Sequence, residues 1–263
     1  MKRNCGHSGR FLLACVFLFS GCADLPKPHV DATPTPYASP LPTALPAYAY
    51  DEETLRALQE ELRDDRAINP DVCGLLVFQS GLIHAPIVQG SDNEEYLYRD
   101  WKTGASSTRG SITLDYRNGL HFQDANSILY GHYVYHRASS DRTLVFTPLE
   151  QLLTAENYPN NQYLALIDEN EVQYYQIKLV YACRLINVEG GQVAPQQLPF
   201  NELSYSEEAF AAYIQAAHAV QYYDTGVEPV YGKRLLTMQT CVEFQPDVRE
   251  IVLCQELETV TFP

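Results

Sequence analysis

From Val72 onward the chain breaks into short apolar runs separated by turn formers, and no other feature constrains its fold as much. Residues 72–78, 83–88, 111–116, 127–130, 144–146 and 163–167 are apolar segments bounded by Gly, Ser, Asn, Asp or Pro. Runs this short read as strands rather than helices. Residues 171–181 alternate as a half-exposed strand does, through Val172, Tyr174, Gln176, Lys178 and Val180. Two late strands, 234–240 and 249–257, complete the series. Many short strands with few helices predict a mainly β fold, a closed or nearly closed barrel with helices at its periphery.

Two segments carry a helical period instead. In 51–66, Asp51, Glu52 and Glu53 suit the positive end of a helix dipole. Leu55, Leu58 and Leu62 share one face, and Asn69-Pro70 ends the run. In 205–222, Ser206 with Glu207 and Glu208 suits a start, and Phe210, Tyr213, Ile214 and Ala217 form the apolar face.

The N-terminal region has another composition. Lys2, Arg3 and Arg10 precede the apolar run 11–19, as in an export signal. Ser20-Gly21-Cys22 follows and resembles a lipobox, with Phe19 where Leu is usual; Cys22 would be the lipidated first residue. The run is shorter than the ~20 residues that span a bilayer, so lipidation fits better than an uncleaved anchor. Pro26, Pro28, Pro34, Pro36, Pro40, Pro42 and Pro46 then make a semi-rigid extended stalk. The expected organisation is an export signal over 1–22, a stalk over 23–50 and a folded domain over 51–263. That arrangement places the domain on the extracellular face of the cytoplasmic membrane, held by its N-terminus. A formal net charge of −15 disfavours nucleic acid and anionic lipid headgroups as partners.

The chain has seven cysteines, of which Cys73, Cys183, Cys241 and Cys254 lie in the folding part. Their wide spacing lacks the paired pattern of a zinc site. Cys183 and Cys254 sit in apolar runs and read as buried thiols, with a disulfide between them left open. Cys241 differs, because it closes the run Leu235-Leu236-Thr237-Met238-Gln239-Thr240 and precedes a polar turn with Pro246. Arg249 opens the next strand, so antiparallel pairing would bring a fixed cation beside the thiol. By spacing alone, a buried Cys and a surface Arg flanking a hairpin fit equally well. His132 follows Tyr130-Gly131 at a strand end, where an imidazole can exchange protons with a thiol. His84, His121 and His136 lie in polar stretches, His218 on the later helix.

In combination these residues resemble the sortase signature: a His after a strand, a T-L-x-T-C strand end, and an Arg on the following strand. Pro86-Ile87-Val88-Gln89-Gly90-Ser91-Asp92-Asn93-Glu94-Glu95-Tyr96-Leu97 resembles the class B segment P-V-V-Q-x-x-D-N-x-x-Y-L. Gly110-Ser111-Ile112-Thr113-Leu114-Asp115-Tyr116-Arg117-Asn118 resembles the class B segment G-S-I-F-L-D-Y-R-N. The resemblance runs over 52–257. It implies a closed sortase-type barrel with an N-terminal helix and an extra helix before the Cys strand. It also implies a cysteine transpeptidase with Cys241 as nucleophile, His132 as acid and Arg249 on the oxyanion. The implied substrates are surface or pilin proteins with an N-P-x-T-x-like signal, and the acceptor is an amine of a cell-wall precursor or pilin. Asn93, Leu97, Tyr130 and Thr240 would contact the peptide; no metal or organic cofactor is implied. Asp115 and Arg117 read as a structural ion pair. Met238 and Gln239 depart from the pattern, and Gln239 is larger than the usual small residue, which bears on substrate preference. A cysteine hydrolase and a non-catalytic surface lipoprotein with the same barrel are the alternatives.

Overall fold

The computed structural model describes residues 46–135, 144–184, 198–242 and 245–262. The signal, Cys22 and most of the stalk lie outside these residues, as does His136.

The first element is α1 (Glu52–Ile68), capped by Asp51, whose side chain accepts from the Thr54 amide at 2.8 Å. Leu58 and Leu62 are buried beneath it, and Asn69 closes it by donating its amide to Asp65. The strands follow as β1 (Val72–Phe78), β2 (His84–Val88), β3 (Ile112–Leu114), β4 (Asn126–Tyr130) and β5 (Tyr163–Ile167). A single turn, α2 (Tyr158–Asn161), precedes β5. Then come β6 (Glu171–Arg184), α3 (Glu207–His218), β7 (Leu235–Val242) and β8 (Gln245–Thr261). These strands close into a barrel in the order β1-β2-β3-β4-β7-β8-β6-β5. Two neighbouring pairs, β2–β3 and β4–β7, are parallel.

Alternation along each strand divides the side chains between an inner and an outer face. All eight strands contribute to the interior, among them Leu76, Ile87, Leu114, Leu129, Leu166, Ile177, Met238 and Cys254. Outside, α1 covers Leu75, Val77, Ala165 and Ile167, while α3 covers Tyr181, Cys183, Leu235, Ile251 and Leu253. Tyr48 and Tyr50, within the span assigned to the stalk, already engage the barrel. Tyr48 donates to Glu258 at 3.0 Å, and the Tyr50 amide donates to the Tyr174 hydroxyl at 3.1 Å.

Two expectations need correction, and the disulfide left open is resolved. Residues 144–146 are not a strand: Val145 sits at φ 50°, and Phe146 leads into a 3-10 helix, Thr147–Leu153. Phe146, Leu149 and Leu152 plug the barrel interior, a burial that an apolar run alone does not distinguish from a strand. The later helix is shorter than 205–222, starting after its Ser206 cap and ending at His218. Cys183 and Cys254 are free thiols. Cys254 points into the interior and Cys183 to the outer face under α3, so the sheet itself separates them.

Candidate active site

The site is assembled by the register of three strands. Cys241 on β7 is the cross-strand partner of Arg249 on β8, and the ladder is irregular immediately beyond, between Cys241 and Val242. Residues paired this way have Cα atoms roughly 4.5–5.5 Å apart. Leu235 on β7 and Ile251 and Leu253 on β8 face α3, so Cys241 and Arg249, in phase with them, share the outer face. On the other side of β7, Tyr130 of β4 pairs in parallel with Gln239, and the Gly131 amide donates to the Gln239 carbonyl at 3.3 Å. Two residues further along that register, His132 comes level with Cys241. The backbone positions of Cys241, His132 and Arg249 therefore lie at the same end of the barrel. Cys241, His132 and Arg249 are each partly exposed.

His132 is oriented by its surroundings. The Leu97 backbone lies beside the ring, the Tyr98 ring packs with its centroid 5.3 Å away, and Nε2 is buried without a hydrogen-bond partner among the described residues. Burial lowers the imidazole pKa, the Leu97 carbonyl opposes that, and the Arg249 cation lowers it further.

Two glycines permit this arrangement. Gly110 sits at φ 63°, and a Cβ there would come 2.1 Å from the Leu97 carbonyl oxygen. At Gly131 the requirement is space. A Cβ would meet the Phe146 ring at 2.7 Å.

Asn93, Tyr130 and Asp115 form one cluster. Asp115 is fully buried and accepts from Arg117 Nε and Nη2 at 2.9 and 2.8 Å, Tyr130 Oη at 2.6 Å and Asn93 Nδ2 at 3.1 Å. Burial pushes its carboxyl up, but Arg117 and Tyr130 outweigh this and hold it at about 2. Asp115 and Arg117 are thus the structural ion pair expected. Leu97 is half-buried and meets His132 through its carbonyl, a contact that no motif indicated. Thr240 faces the interior and is 2% exposed, so its side chain lies on the opposite side of the sheet from Cys241. The remaining described histidines are engaged elsewhere: His84 with Glu61, His121 with Asp168 and His218 with Glu228.

The three other described thiols are buried. Desolvation pushes Cys73 and Cys183 up to about 12 and raises Cys254 as well. Cys241 alone among the described cysteines reaches solvent. Among the described residues no cluster of three or more His, Cys, Asp or Glu is placed to hold a metal ion, and no helix is long and apolar enough to cross a membrane.

The closed eight-stranded barrel is similar in fold to solved sortases. The comparisons find class B sortases among the proteins it is similar to. Clostridium perfringens sortase B superposes with a TM-score of 0.60 over 74% of this chain and 99% of that one, at 23% identity. In sequence the chain is 41% identical to Sortase B of Listeria monocytogenes over 75 residues, 28% of this chain and 30% of that protein. It is 31% identical to Sortase B of Staphylococcus aureus over 115 residues, 44% of this chain and 43% of that protein. These alignments span less than half the length of either relative. No protein-family model matches the chain. The resemblance to class B sortases carried by the motifs is thus borne out in both sequence and fold.

Proposed function

We propose that this chain is a class B sortase-type cysteine transpeptidase that cleaves a sorting-signal peptide and transfers it to an amine. The observation that carries the reading is the Cys241–Arg249 rung with His132 level beside it. The substrate is a surface or pilin protein bearing an N-P-x-T-x-like signal, and the acceptor is an amine of a cell-wall precursor or a pilin. In the first step the Cys241 thiolate attacks the Thr carbonyl carbon, and Arg249 faces the oxygen that gains charge. The peptide C–N bond breaks as His132, as imidazolium, gives its proton to the leaving nitrogen. The acceptor amine then attacks the thioester, loses a proton to His132, and displaces the thiolate.

Asn93, Leu97, Tyr130 and the backbone at Thr240 are proposed to border the bound peptide. Catalysis would take place outside the membrane, with residues 1–22 as the export signal, Cys22 as lipid anchor and 23–50 as the stalk.

The test is Cys241→Ala with an N-P-x-T-x peptide. Cleavage is lost, the barrel keeps its melting temperature, and wild type yields a thioacyl adduct at Cys241 by mass spectrometry. Unchanged turnover in the variant would overturn the reading. Product analysis with and without an added amine separates transfer from hydrolysis. Fatty-acid labelling that survives Cys22→Ala would refute the lipid anchor.

A further inference from the structure

Directly behind the Cys241–Arg249 rung, on the inside of the barrel, lies a carboxyl that the proposed reaction does not use. Glu250 is 1% exposed and pairs across the strands with Thr240, one residue from the reacting pair. Val252 and Cys254, in phase with it on β8, belong to the interior cluster, as do Leu236 and Met238, in phase with Thr240 on β7. Glu250 Oε1 and Thr240 Oγ1 are both buried without a hydrogen-bond partner among the described residues. So is the hydroxyl of Tyr223, whose ring packs against the same core.

Among the described residues no cation is recorded as compensating this carboxyl. Arg249, the adjacent residue on β8, alternates to the outer face. Among the described residues, the titratable groups that act on Glu250, or on which it acts, are Glu150 on the 3-10 helix that plugs the barrel and Tyr222 and Tyr223 after α3. From β7 and β6 its rung partners are the uncharged Thr240 and Ala182. A carboxylate here would be desolvated and would face another carboxylate, whereas the neutral acid can share a proton with a hydroxyl.

We propose that Glu250 is a positioning residue: held as a neutral acid behind the Cys241–Arg249 rung, it keeps this end of the β7–β8 ladder closed, and its ionisation loosens that rung. The inference takes Cys241 and Arg249 as the reacting pair, as in the proposed function, but its test needs no turnover. The rung is the last regular one before the β7 irregularity, beyond which Val242 pairs with Gln245. Desolvation, and then Glu150, push the Glu250 carboxyl up to about 8.

The experiment follows the alkylation rate of Cys241 by iodoacetamide, mapped by mass spectrometry, from about pH 6 to about pH 9.5 in wild type and Glu250→Gln. In the variant the rate follows a single thiol titration. In wild type it departs from that curve near the Glu250 pKa, by about threefold or more in rate, which is ~0.7 kcal/mol at RT ≈ 0.59 kcal/mol. Identical profiles overturn the proposal. Infrared difference spectra of wild type supply a second reading that does not depend on the variant folding. One protonated-carboxyl band disappears between about pH 7 and about pH 9, far above ordinary carboxyls. Its absence also overturns the proposal. Loss of peptide turnover with the alkylation break intact would refute the transpeptidase reading and leave this one standing.

Discussion

Gln239 donates through Nε2 to Asn201 Oδ1 at 3.0 Å, bridging the outer face of β7 to the segment before α3, two residues ahead of Cys241. The same Asn201 accepts through its carbonyl from Arg117 at 3.0 Å. The segment is thereby tied to both the Cys strand and the Asp115 cluster. Gln239→Ser removes the bridge and releases one wall beside the thiol. Loss of one hydrogen bond worth about 1 kcal/mol predicts a KM for the peptide raised about fivefold, with kcat within about twofold. Asn201→Ala gives the same change, and the double variant is no worse than either single one. Additive effects in that cycle would show that the two side chains act separately.

Gly110→Ala strains a left-handed residue and drives a methyl group into the Leu97 carbonyl that holds His132. The expected outcome is a kcat lower by about tenfold or more, with circular dichroism showing an intact barrel. Normal kcat in a folded variant would show that Leu97 does not orient the imidazole.

Burial holds the His132 pKa below the ordinary imidazole range. The unfolded chain then binds more protons than the folded one as pH falls through that range, so His132 costs the protein stability on acidification. Melting temperatures of wild type should fall relative to His132→Gln as pH is lowered from neutral, and converge above it. In the opposite direction, catalysis through an imidazolium weakens as pH rises.

Asp115 contributes stability in the opposite sense to Glu250. Its carboxyl is held at about 2, so the contribution is present above the ordinary Asp pKa and is lost as pH falls towards 2. Asp115→Ala leaves Tyr130, Asn93 and Arg117 without their common acceptor. The guanidinium is 38% exposed and can recover water, so the cost is set at the lower end for a broken buried pair, about 3 kcal/mol by denaturant unfolding.

Thiol probes should distinguish the cysteines of the native protein. Brief labelling near neutral pH is expected to modify Cys241 and to spare Cys73, Cys183 and Cys254, whose thiols are buried. Equal labelling of Cys73 would contradict its burial in the barrel.

Residue type and spacing determined much of this molecule without coordinates. Short apolar runs specified the barrel, because a period of two with frequent turn formers has few other closed solutions. The caps Asp51 and Ser206 and the leucines of α1 specified the helices locally. The ordered motifs around His132, Cys241 and Arg249 named the candidate reacting groups and the family they resemble.

What tertiary structure alone decided depends on contacts between distant segments. Residues 144–146 read as a strand until the need to plug the barrel made Phe146 the start of a 3-10 helix. Gly110 bears on His132 only through Leu97, and Gln239 meets Asn201 only because the chain before α3 returns across β7. Glu250 follows Arg249 in sequence with nothing to mark it. Strand alternation sends one side chain to the reacting face and the next into a dry interior, and burial there, set by the closure of eight strands, decides its protonation.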